Sequence, residues 1–194
     1  EYLAERPEGF RYTAFCDRYR AWVARQGVVM RQVHRAGEKA FVDYSGKRPH
    51  FIDPTTGEAI AVELFVAVLG ASNYTYAETT LTQRITDFVA SHVRAFAYFG
   101  GVPKMTVPDQ LRSAVRVPCK YEPTIQRTYA ELGDHYGTAI VPARPGKPRD
   151  KAKVEVAVQV AQRWILARLR HETFFSHESL NARIAELLEE LNAR

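Results

Sequence analysis

The pattern of apolar and polar positions along the chain predicts an alternation of helices and strands. Over residues 13–26, apolar residues recur at i, i+4, i+7 and i+8, which is the spacing of an amphipathic helix. The stripe consists of Phe15, Tyr19, Trp22 and Val23. Gly27 follows it as a typical helix end. We expect this helix to pack on the hydrophobic core and to carry no chemistry.

Three strand-like segments follow. The first covers residues 40–42 and leads into Asp43. The second, residues 59–69, is apolar almost throughout, as expected for a strand at the centre of a sheet. The third, residues 73–80, is rich in Tyr and Thr. With a turn-like sequence at residues 53–57, the three segments predict an antiparallel meander.

The second half of the chain alternates helices with short strands. Helices are predicted over residues 85–99 and 124–136, and strands over residues 104–107 and 138–141. Strands that are separated by helices pair in parallel. We therefore predict an α/β fold with a mixed sheet, in which three antiparallel strands are followed by parallel strands and flanked by helices.

Two periods compete in the sequence VEVAVQV, residues 154–160. It alternates like a strand, but it also belongs to a helical stripe that continues to Leu169. Asp150 is placed to act as an N-cap, and strong helix formers follow the segment. We predict one long helix over residues 150–171 and a last amphipathic helix over residues 176–191.

Composition is that of one ordinary domain with terminal additions. The chain has 194 residues, 46% of them hydrophobic and 25% charged. Its two cysteines, Cys16 and Cys119, lie far apart, which fits a reducing compartment. The longest apolar run, residues 59–71, is interrupted by Glu63 and is too short to span a bilayer. From these features and the start at Glu1 we expect a soluble, excised part of a longer protein without a leader.

The basic charge is concentrated in one segment. The chain carries a net charge of +5, and residues 143–170 contain eight basic and two acidic residues. Such a stripe is either a solvated helix face or a surface that binds phosphate, because Lys and Arg displace counterions from a polyanion. The pattern alone leaves both interpretations open.

Several common chemistries have no motif in the chain. There is no G-x-x-x-x-G-K-[ST] loop to bind nucleotide phosphates, and the six histidines show no H-E-x-x-H spacing for zinc. No G-x-S-x-G sequence marks a serine nucleophile. The sequence therefore does not indicate an ATPase, a zinc enzyme or an α/β-hydrolase.

Three acidic residues are candidates for one site. Asp43 lies at the end of a predicted strand, Asp109 just past another, and Glu155 near the start of the long helix. In the parallel half of an open α/β sheet the carboxyl ends of the strands face one crevice. Three converging carboxylates need cations to neutralise them, and oxygen ligands favour Mg²⁺ or Mn²⁺. The alternative is that the three acids are ordinary solvated or salt-bridged residues.

The order of several phrases resembles a known family. They are FVDYSG, ELFVAVLG, NYTYAETT, PKMTVPDQL and ARPGKPRDKAKVE. These resemble the RNase H-like catalytic core of DDE transposases and retroviral integrases, and more narrowly the IstA-type insertion-sequence transposases. The resemblance covers residues 37–175. It implies an RNase H-like core, two-metal phosphoryl transfer and metal-binding roles for Asp43, Asp109 and Glu155.

The resemblance also implies further residues and partners. Gln110 departs from it, because the family motif usually has Asn after the second aspartate. Five basic residues would grip the DNA backbone beside the metals: Arg144, Lys147, Arg149, Lys151 and Lys153. The implied partners are transposon-end and target DNA, an AAA+ helper ATPase of the IstB type, and further copies of the full-length protein on DNA, with no membrane. The location would be the bacterial cytoplasm, at the nucleoid.

These inferences define a domain plan and a function. We predict an N-terminal helical extension over residues 1–36, an RNase H-like catalytic core over residues 37–172, and a C-terminal helix over residues 173–194 that leads to a further region. The function expected is metal-dependent 3′-end cleavage and strand transfer of transposon DNA. Two alternatives remain: an RNase H-type nuclease that cuts without joining, and a non-catalytic DNA-binding or assembly module.

Overall fold

The structure, a computed structural model, covers most of the chain. It describes residues 5, 7, 9, 11–25, 34–108, 115–117, 124–142 and 148–193, and within these ranges it leaves out the side chains at 24, 115–117, 124–125, 148–155 and 157. The chain divides into two compact units, Glu1–Val33 and His34–Arg194. The three-part division drawn from the sequence stays a prediction. Within the described ranges, no helix is long and apolar enough to cross a membrane.

The first unit contains helix α1, Tyr12–Arg25. Its bounds match the predicted helix to within one residue. The predicted packing of its apolar stripe on the core stays a prediction. Phe15, Tyr19 and Trp22 are 49%, 55% and 55% exposed. Phe15 stacks on Tyr19, and Tyr19 on Trp22, with ring centroids 6.2 and 6.0 Å apart. The helical period was correctly inferred, but it does not say what covers a stripe.

The second unit alternates strands and helices. Its described strands are β1 (Lys39–Tyr44), β2 (His50–Ile52), β3 (Ala59–Ala61), β4 (Glu63–Leu69), β5 (Thr75–Thr80), β6 (Met105–Pro108), β7 (Val115–Val117), β8 (Thr124–Ile125) and β9 (Ala139–Ile140). Its described helices are α2 (Ile85–Phe99), α3 (Arg127–Tyr136), α4 (Pro148–Leu169) and α5 (His177–Asn192). Gly100 ends α2 in the left-handed conformation, with φ 68°, where a side chain would be strained.

A five-stranded mixed sheet in the order β5-β4-β1-β6-β9 organises this unit. Strands β1, β4 and β5 pair antiparallel, as the sequence predicted. Strands β6 and β9 add to β1 in parallel, which confirms the predicted mixed sheet. Strand β1 is therefore central and separates the antiparallel half from the parallel half. Hairpins β2-β3 and β7-β8 form two small separate sheets.

One face of the sheet packs on α4 and α5. Leu64, Val66 and Val68 of β4 are at most 1% exposed on this face. They share a hydrophobic cluster with the inward residues of α4, which are Val158, Ala161, Ile165 and Leu169, and with those of α5, which are Leu180, Ile184, Leu187 and Leu188. Each such side chain, when fully buried, contributes about 1.5–3 kcal/mol. The long helix predicted from the VEVAVQV segment is confirmed, because its helical stripe is the buried one.

The opposite face packs on α2 and α3 and contains a buried polar pair. His92 is fully buried and is ringed by aromatic side chains, including Phe65 and Phe88. Its Nδ1 lies 2.7 Å from the carbonyl oxygen of Phe88, and its Nε2 lies 2.9 Å from the hydroxyl of Tyr129. Because a carbonyl can only accept, Nδ1 carries the proton and Nε2 accepts from Tyr129. Burial lowers the pKa of His92 to about 4.

The exposed edge of β5 is closed by two asparagines of α5. The Oδ1 of Asn181 accepts from the N–H of Thr79 at 2.6 Å, and its Nδ2 donates to the carbonyl of Thr79 at 3.1 Å. Asn192 makes the same pair of bonds with Thr75, at 2.9 and 2.8 Å. Each side-chain amide thus replaces one residue of a neighbouring strand. This arrangement satisfies backbone groups that would otherwise offer an edge for aggregation.

Three predicted elements differ from the structure. Residues 124–125, predicted as the start of a helix, form β8, and α3 begins at Arg127. The segment at residues 59–69 is two strands, because β3 leaves the main sheet to pair with β2 while β4 stays in it. The long helix starts at Pro148, so Asp150 lies in the first turn and is not the N-cap. Proline is favoured at this position, where its missing N–H has no helical partner in any case.

The two hydrogen bonds between Asn181 and the backbone of Thr79 lead to a stability prediction. Replacing Asn181 by Ala should leave the N–H and carbonyl of Thr79 with fewer partners and lower the free energy of unfolding by about 1–3 kcal/mol. Urea denaturation measures this loss, and hydrogen exchange of the Thr79 amide should accelerate. Glu189→Ala, at an exposed position of the same helix, should change the free energy of unfolding by less than about 0.5 kcal/mol. Equal effects of the two variants would contradict a stabilising role for the Asn181–Thr79 hydrogen bonds.

The His92–Tyr129 pair generates a pH prediction. The pKa of His92 in the folded protein is about 4, below its ordinary value of 6.5. Between pH 6.5 and pH 4, His92 therefore binds a proton in the unfolded chain but stays neutral in the folded protein. The stability from neutral His92 is therefore present above pH 6.5 and is lost as the pH falls toward 4, by about 3 kcal/mol at most. Between these pH values, the His92→Phe variant should lose less stability than the wild type.

A matched variant separates the titration from the hydrogen bond. Tyr129→Phe keeps the imidazole and removes only the hydroxyl that donates to it. It should lower stability by about 1–3 kcal/mol at neutral pH while keeping the acid-dependent loss. If the wild type and His92→Phe lose stability in parallel between pH 6.5 and 4, His92 does not titrate as described.

Candidate active site

Asp43 lies in the central strand, one residue before its end. Strand β1 covers Lys39–Tyr44, and most of its residues are buried while Asp43 is half-buried. The neighbours of Asp43 in sequence, Val42 and Tyr44, belong to the cluster under α2 and α3. Because successive side chains of a strand point to opposite faces, Asp43 belongs to the α4 and α5 face.

The register of the sheet gives the same orientation. Asp43 pairs with Val66 of β4, and directly opposed residues in an antiparallel pair share one face. Val66 is fully buried in the cluster with α4 and α5. Asp43 therefore projects from the sheet surface over which α4 runs.

Strand β6 ends beside Asp43. In the parallel pair of β1 and β6, Val42 is the partner of Pro108, the last residue of β6. Asp43 and Asp109 are the next residues of the two segments. Asp109 and its neighbour Gln110 lie outside the described residues, so their predicted roles stay predictions. The structure does show that β6 ends at the same edge of the sheet as β1.

Helix α4 contains the third predicted acid. Residue 155 lies in its helical backbone, and its side chain is outside the description. Val158, three residues later, is 4% exposed and belongs to the same cluster as Val66. Positions three apart on a helix share a face. The backbone thus places position 155 one turn before the point where α4 contacts the sheet.

The predicted phosphate-binding residues cluster at the same end of α4. Arg149, Lys151 and Lys153 are in its first two turns, and their side chains are outside the description. Arg144 and Lys147 precede the helix and lie outside the described residues. The predicted phosphate contacts of these five residues therefore stay predictions.

A polar groove at the same edge of the sheet was missed by the sequence reasoning. Strand β5 runs in the same direction as β1, so the ends of both strands lie at one edge. An open groove of about 590 Å³ lies at the end of β5, lined by residues that include Thr80, Arg84, Arg94 and His177. The dense run of threonines and charges between β5 and α2 was the available signal.

Ion pairs and a hydrogen bond join charged side chains at this edge of the sheet. Glu63, only 8% exposed, accepts from Arg48 at 2.7 Å and from Gln83 at 2.8 Å. Arg94 donates to both carboxylate oxygens of Glu78, at 2.7 and 2.8 Å. Such bidentate, charge-assisted bonds fix side-chain geometry as well as adding energy. Glu63 interrupts an apolar run in the sequence, and its partners come from distant segments.

Tyr44 is not a base for chemistry at this edge. Its hydroxyl accepts from Thr80 Oγ1 at 3.4 Å. Burial is the main cause that raises the pKa of Tyr44 to about 12. The phenol therefore stays protonated at neutral pH. Asp43 is the carboxylate at the end of this central strand.

No complete metal-ligand set lies within the described residues. Among them, no group of three His, Cys, Asp or Glu side chains is placed to hold an ion. Two of the three predicted ligands, Asp109 and Glu155, have no described side chain. The oxygen chemistry of the three acids fits a hard divalent cation.

Comparison with known sequences is decisive about homology. The chain is 51% identical over its whole length to a protein of Pseudomonas fluorescens named "Putative transposase for insertion sequence IS1162". It is 45% identical, over 99% of its length, to "Putative transposase y4uI" of Sinorhizobium fredii. The chain is homologous to insertion-sequence transposases. It spans about a third of these relatives, 35% and 37% of their lengths.

A more distant relative bears on the subtype. The chain is 29% identical, over 71% of its length, to the transposase for insertion sequence element IS21 of Pseudomonas aeruginosa, of which the match covers 36%. No protein-family model matches the chain. The comparisons thus support homology with transposases and leave the predicted IstA-type assignment as a proposal.

Comparison with solved structures identifies the fold. The catalytic core domain of BIV integrase superposes with a TM-score of 0.56 over 82% of this chain and 86% of that one, at 14% sequence identity. The mixed sheet and its flanking helices are thus those of the RNase H-like fold, as predicted. At this identity the likeness concerns the fold alone.

Proposed function

We propose that this chain is the catalytic domain of a DNA transposase of the IstA type. Its reaction is the metal-dependent cleavage of transposon DNA at its 3′ ends, followed by strand transfer into target DNA. The single observation that carries the proposal is the position of Asp43, at the end of the central strand and on the face that α4 covers. Homology with insertion-sequence transposases supports the reaction class.

The register of the sheet supports a meeting of the three acids. The parallel partners Val42 and Pro108 are each followed by an aspartate, so Asp43 and Asp109 would lie side by side at the sheet edge. Position 155 on α4 lies one turn before Val158, above the face to which Asp43 belongs. Strand β1 pairs with β6 and also contacts α4, so the elements at or next to positions 43, 109 and 155 share β1 as a neighbour.

The three carboxylates would hold two divalent cations, Mg²⁺ or Mn²⁺. Asp43 would contact both ions, and Asp109 and Glu155 one each. When bound, the ions would activate the attacking oxygen and stabilise charge on the entering and leaving oxygens. The protein's contribution is to fix these carboxylates on rigid elements, because a catalytic group must be held to within a fraction of an ångström.

Two phosphoryl transfers would use this one site. In the first, water attacks a phosphodiester bond at the transposon end, the bond to the 3′ oxygen breaks, and a proton restores the 3′-OH. In the second, this 3′-OH attacks a phosphodiester of the target, and a target 3′ oxygen leaves. Each step exchanges one P–O bond for another, so neither needs a covalent protein intermediate or an energy donor.

Basic residues at the start of α4 would hold the DNA backbone. Arg149, Lys151 and Lys153 lie six, four and two residues before position 155 on α4, and Arg144 and Lys147 precede them in sequence. Phosphate contacts position a duplex without reading its sequence. End recognition therefore belongs to other parts of the protein, consistent with a chain that spans about a third of its relatives.

We further propose the partners that the resemblance implies. Similarity to the IS21 transposase supports an IstB-type AAA+ helper ATPase and oligomeric assembly of the full-length protein on DNA. The substrates would be transposon-end and target DNA, at the bacterial nucleoid. Gln110, next to Asp109, would be a neighbour of the substrate.

The acids generate the first test. Asp43→Asn, Asp109→Asn and Glu155→Gln, in the full-length transposase, should each lower Mg²⁺-dependent strand transfer by at least about 10³-fold, because each removes a charged ligand. Product analysis on transposon-end DNA measures the loss. Glu131→Gln, an exposed carboxylate on α3, is the matched control and should keep activity. Undiminished activity in any of the three variants would refute the role of that residue.

Product analysis also separates the alternatives. Joined strands indicate a transposase, whereas cut ends without joining indicate an RNase H-type hydrolase. DNA binding that is sensitive to salt but shows no metal-dependent product at all would indicate a non-catalytic module.

The basic segment generates a binding prediction. Lys151→Ala and Lys153→Ala should each weaken DNA binding at all sequences and reduce the slope of log K against log salt by about 1, because each would release one counterion fewer. Titration of a labelled duplex at several salt concentrations measures the slope. Arg127→Ala, at a 91% exposed side chain on α3 that pairs with Glu131, is the control and should leave the slope unchanged.

A further inference from the structure

Two ion pairs repeat one arrangement beside the polar groove at the end of β5. In each pair, a glutamate that is largely buried holds an arginine that is half-exposed. The side chain of Glu63 is 10% exposed and that of Arg48 is 52% exposed. The side chain of Glu78 is 11% exposed and that of Arg94 is 50% exposed. Glu63 is also the cross-strand partner of Thr80, which lines the groove with Glu78 and Arg94. A molecule that approaches from solvent therefore meets guanidinium groups more than carboxylates.

The two acids that line the groove already accept hydrogen bonds from the protein. Both carboxylate oxygens of Glu78 accept from Arg94, at 2.7 and 2.8 Å. Asp87 accepts from the N–H and from the hydroxyl of Thr82. These bonds hold both carboxylates within the protein, and they lower the attraction of the groove for a cation.

Arg84 supplies a positive charge without such a partner. It lines the groove and is exposed, and within the described part of the chain its side chain has no ion pair or hydrogen bond. The lining also contains four threonines, which are Thr79, Thr80, Thr82 and Thr86. Arginine and hydroxyl side chains are typical donors to the phosphate oxygens of DNA. The lining is therefore suited to phosphate groups.

The groove lies near the end of the strand that carries Asp43. The Oγ1 of Thr80 is 3.4 Å from the hydroxyl of Tyr44, the residue after Asp43. Only β4 separates β5 from β1, so the two strand ends are about 10 Å apart at the usual strand spacing. Successive nucleotides of one DNA strand advance by about 3.4 Å along the helix axis, so about three nucleotides span this distance.

We propose that the groove lined by Thr80, Arg84, Thr86 and Arg94 binds the DNA backbone about three nucleotides from the phosphodiester that reacts at Asp43. This inference rests on the proposed function and adds a point of attachment that is separate from the basic start of α4. Two separate contacts fix the direction of a duplex, whereas one contact lets it pivot. An arginine that a buried glutamate already holds also loses little conformational freedom when it binds a phosphate.

Thr86→Asp tests the groove without weakening the fold. Thr86 is exposed and is the second residue of α2, where an acid is favourable for the helix. The urea midpoint of the variant should therefore not fall. In the 194-residue chain, the new carboxylate should repel phosphates, so a labelled duplex should bind at least about five-fold more weakly than to Thr86→Asn. Thr86→Asn is the matched control, because asparagine has the shape of aspartate without its charge.

Arg84→Ala tests the contribution of the arginine itself. It should weaken binding to duplexes of any sequence and reduce the slope of log K against log salt by about 1, because one counterion fewer is released. Lys104→Ala is the control. Lys104 is exposed and directly precedes β6, at the edge of the sheet opposite to the strand ends, so its loss should leave the slope unchanged.

Either of two results would overturn this inference. One is equal DNA affinity of Thr86→Asp and Thr86→Asn, and the other is a wild-type salt slope for Arg84→Ala. Binding is measured without divalent ions, so it does not depend on the three acids. If the groove variants bind DNA normally while Asp43→Asn abolishes strand transfer, only this inference fails. If Asp43→Asn keeps strand transfer, the proposed role of Asp43 fails, whatever the groove variants do.

Discussion

The register of strand β1 is the constraint on which the rest of the structure depends. This strand lies between an antiparallel and a parallel neighbour, and it is covered on both faces by helices. Its alternation sends Val42 and Tyr44 into one cluster and Asp43 toward the other face. A slip by one residue would exchange the faces, burying the carboxylate among aromatic rings and moving two apolar side chains to the site. Burial on both sides therefore specifies the position of the acid as strictly as any direct contact.

The two faces of the sheet contribute in different ways. The face under α4 and α5 is purely aliphatic at its centre, and it carries the helix from which the third acid would come. The face under α2 and α3 is aromatic and contains the buried His92–Tyr129 hydrogen bond. A buried polar pair of this kind restricts the core to one arrangement, because any other packing would leave a donor or acceptor without a partner. The aromatic face thus packs against the strand from whose other side Asp43 projects.

Two boundaries of the sheet differ: the lateral edge along β5 is covered by α5, whereas the boundary formed by the strand ends is open. At the β5 edge, Asn181 and Asn192 of α5 bond to the strand backbone, so α5 is an integral part of the fold of the second unit. The edge where β1, β5 and β6 end stays open and carries the groove and the proposed site. The open edge leaves the proposed site accessible to a long substrate such as the DNA of the proposed function.

Local patterns in the sequence determined most of the elements. The period of α2, the alternation of β1 and β5, and the helical stripe through Val158 are properties of neighbouring residues, so they could be read directly. The three acids could be named because each follows a recognisable phrase. Contacts between remote residues could not be read. The Asn181–Thr79 bonds join residues 102 apart. The apolar period of α1 likewise specifies which side of that helix is apolar but not what covers it. Only the tertiary structure decided the face of Asp43, since that face follows from partners supplied by other parts of the chain.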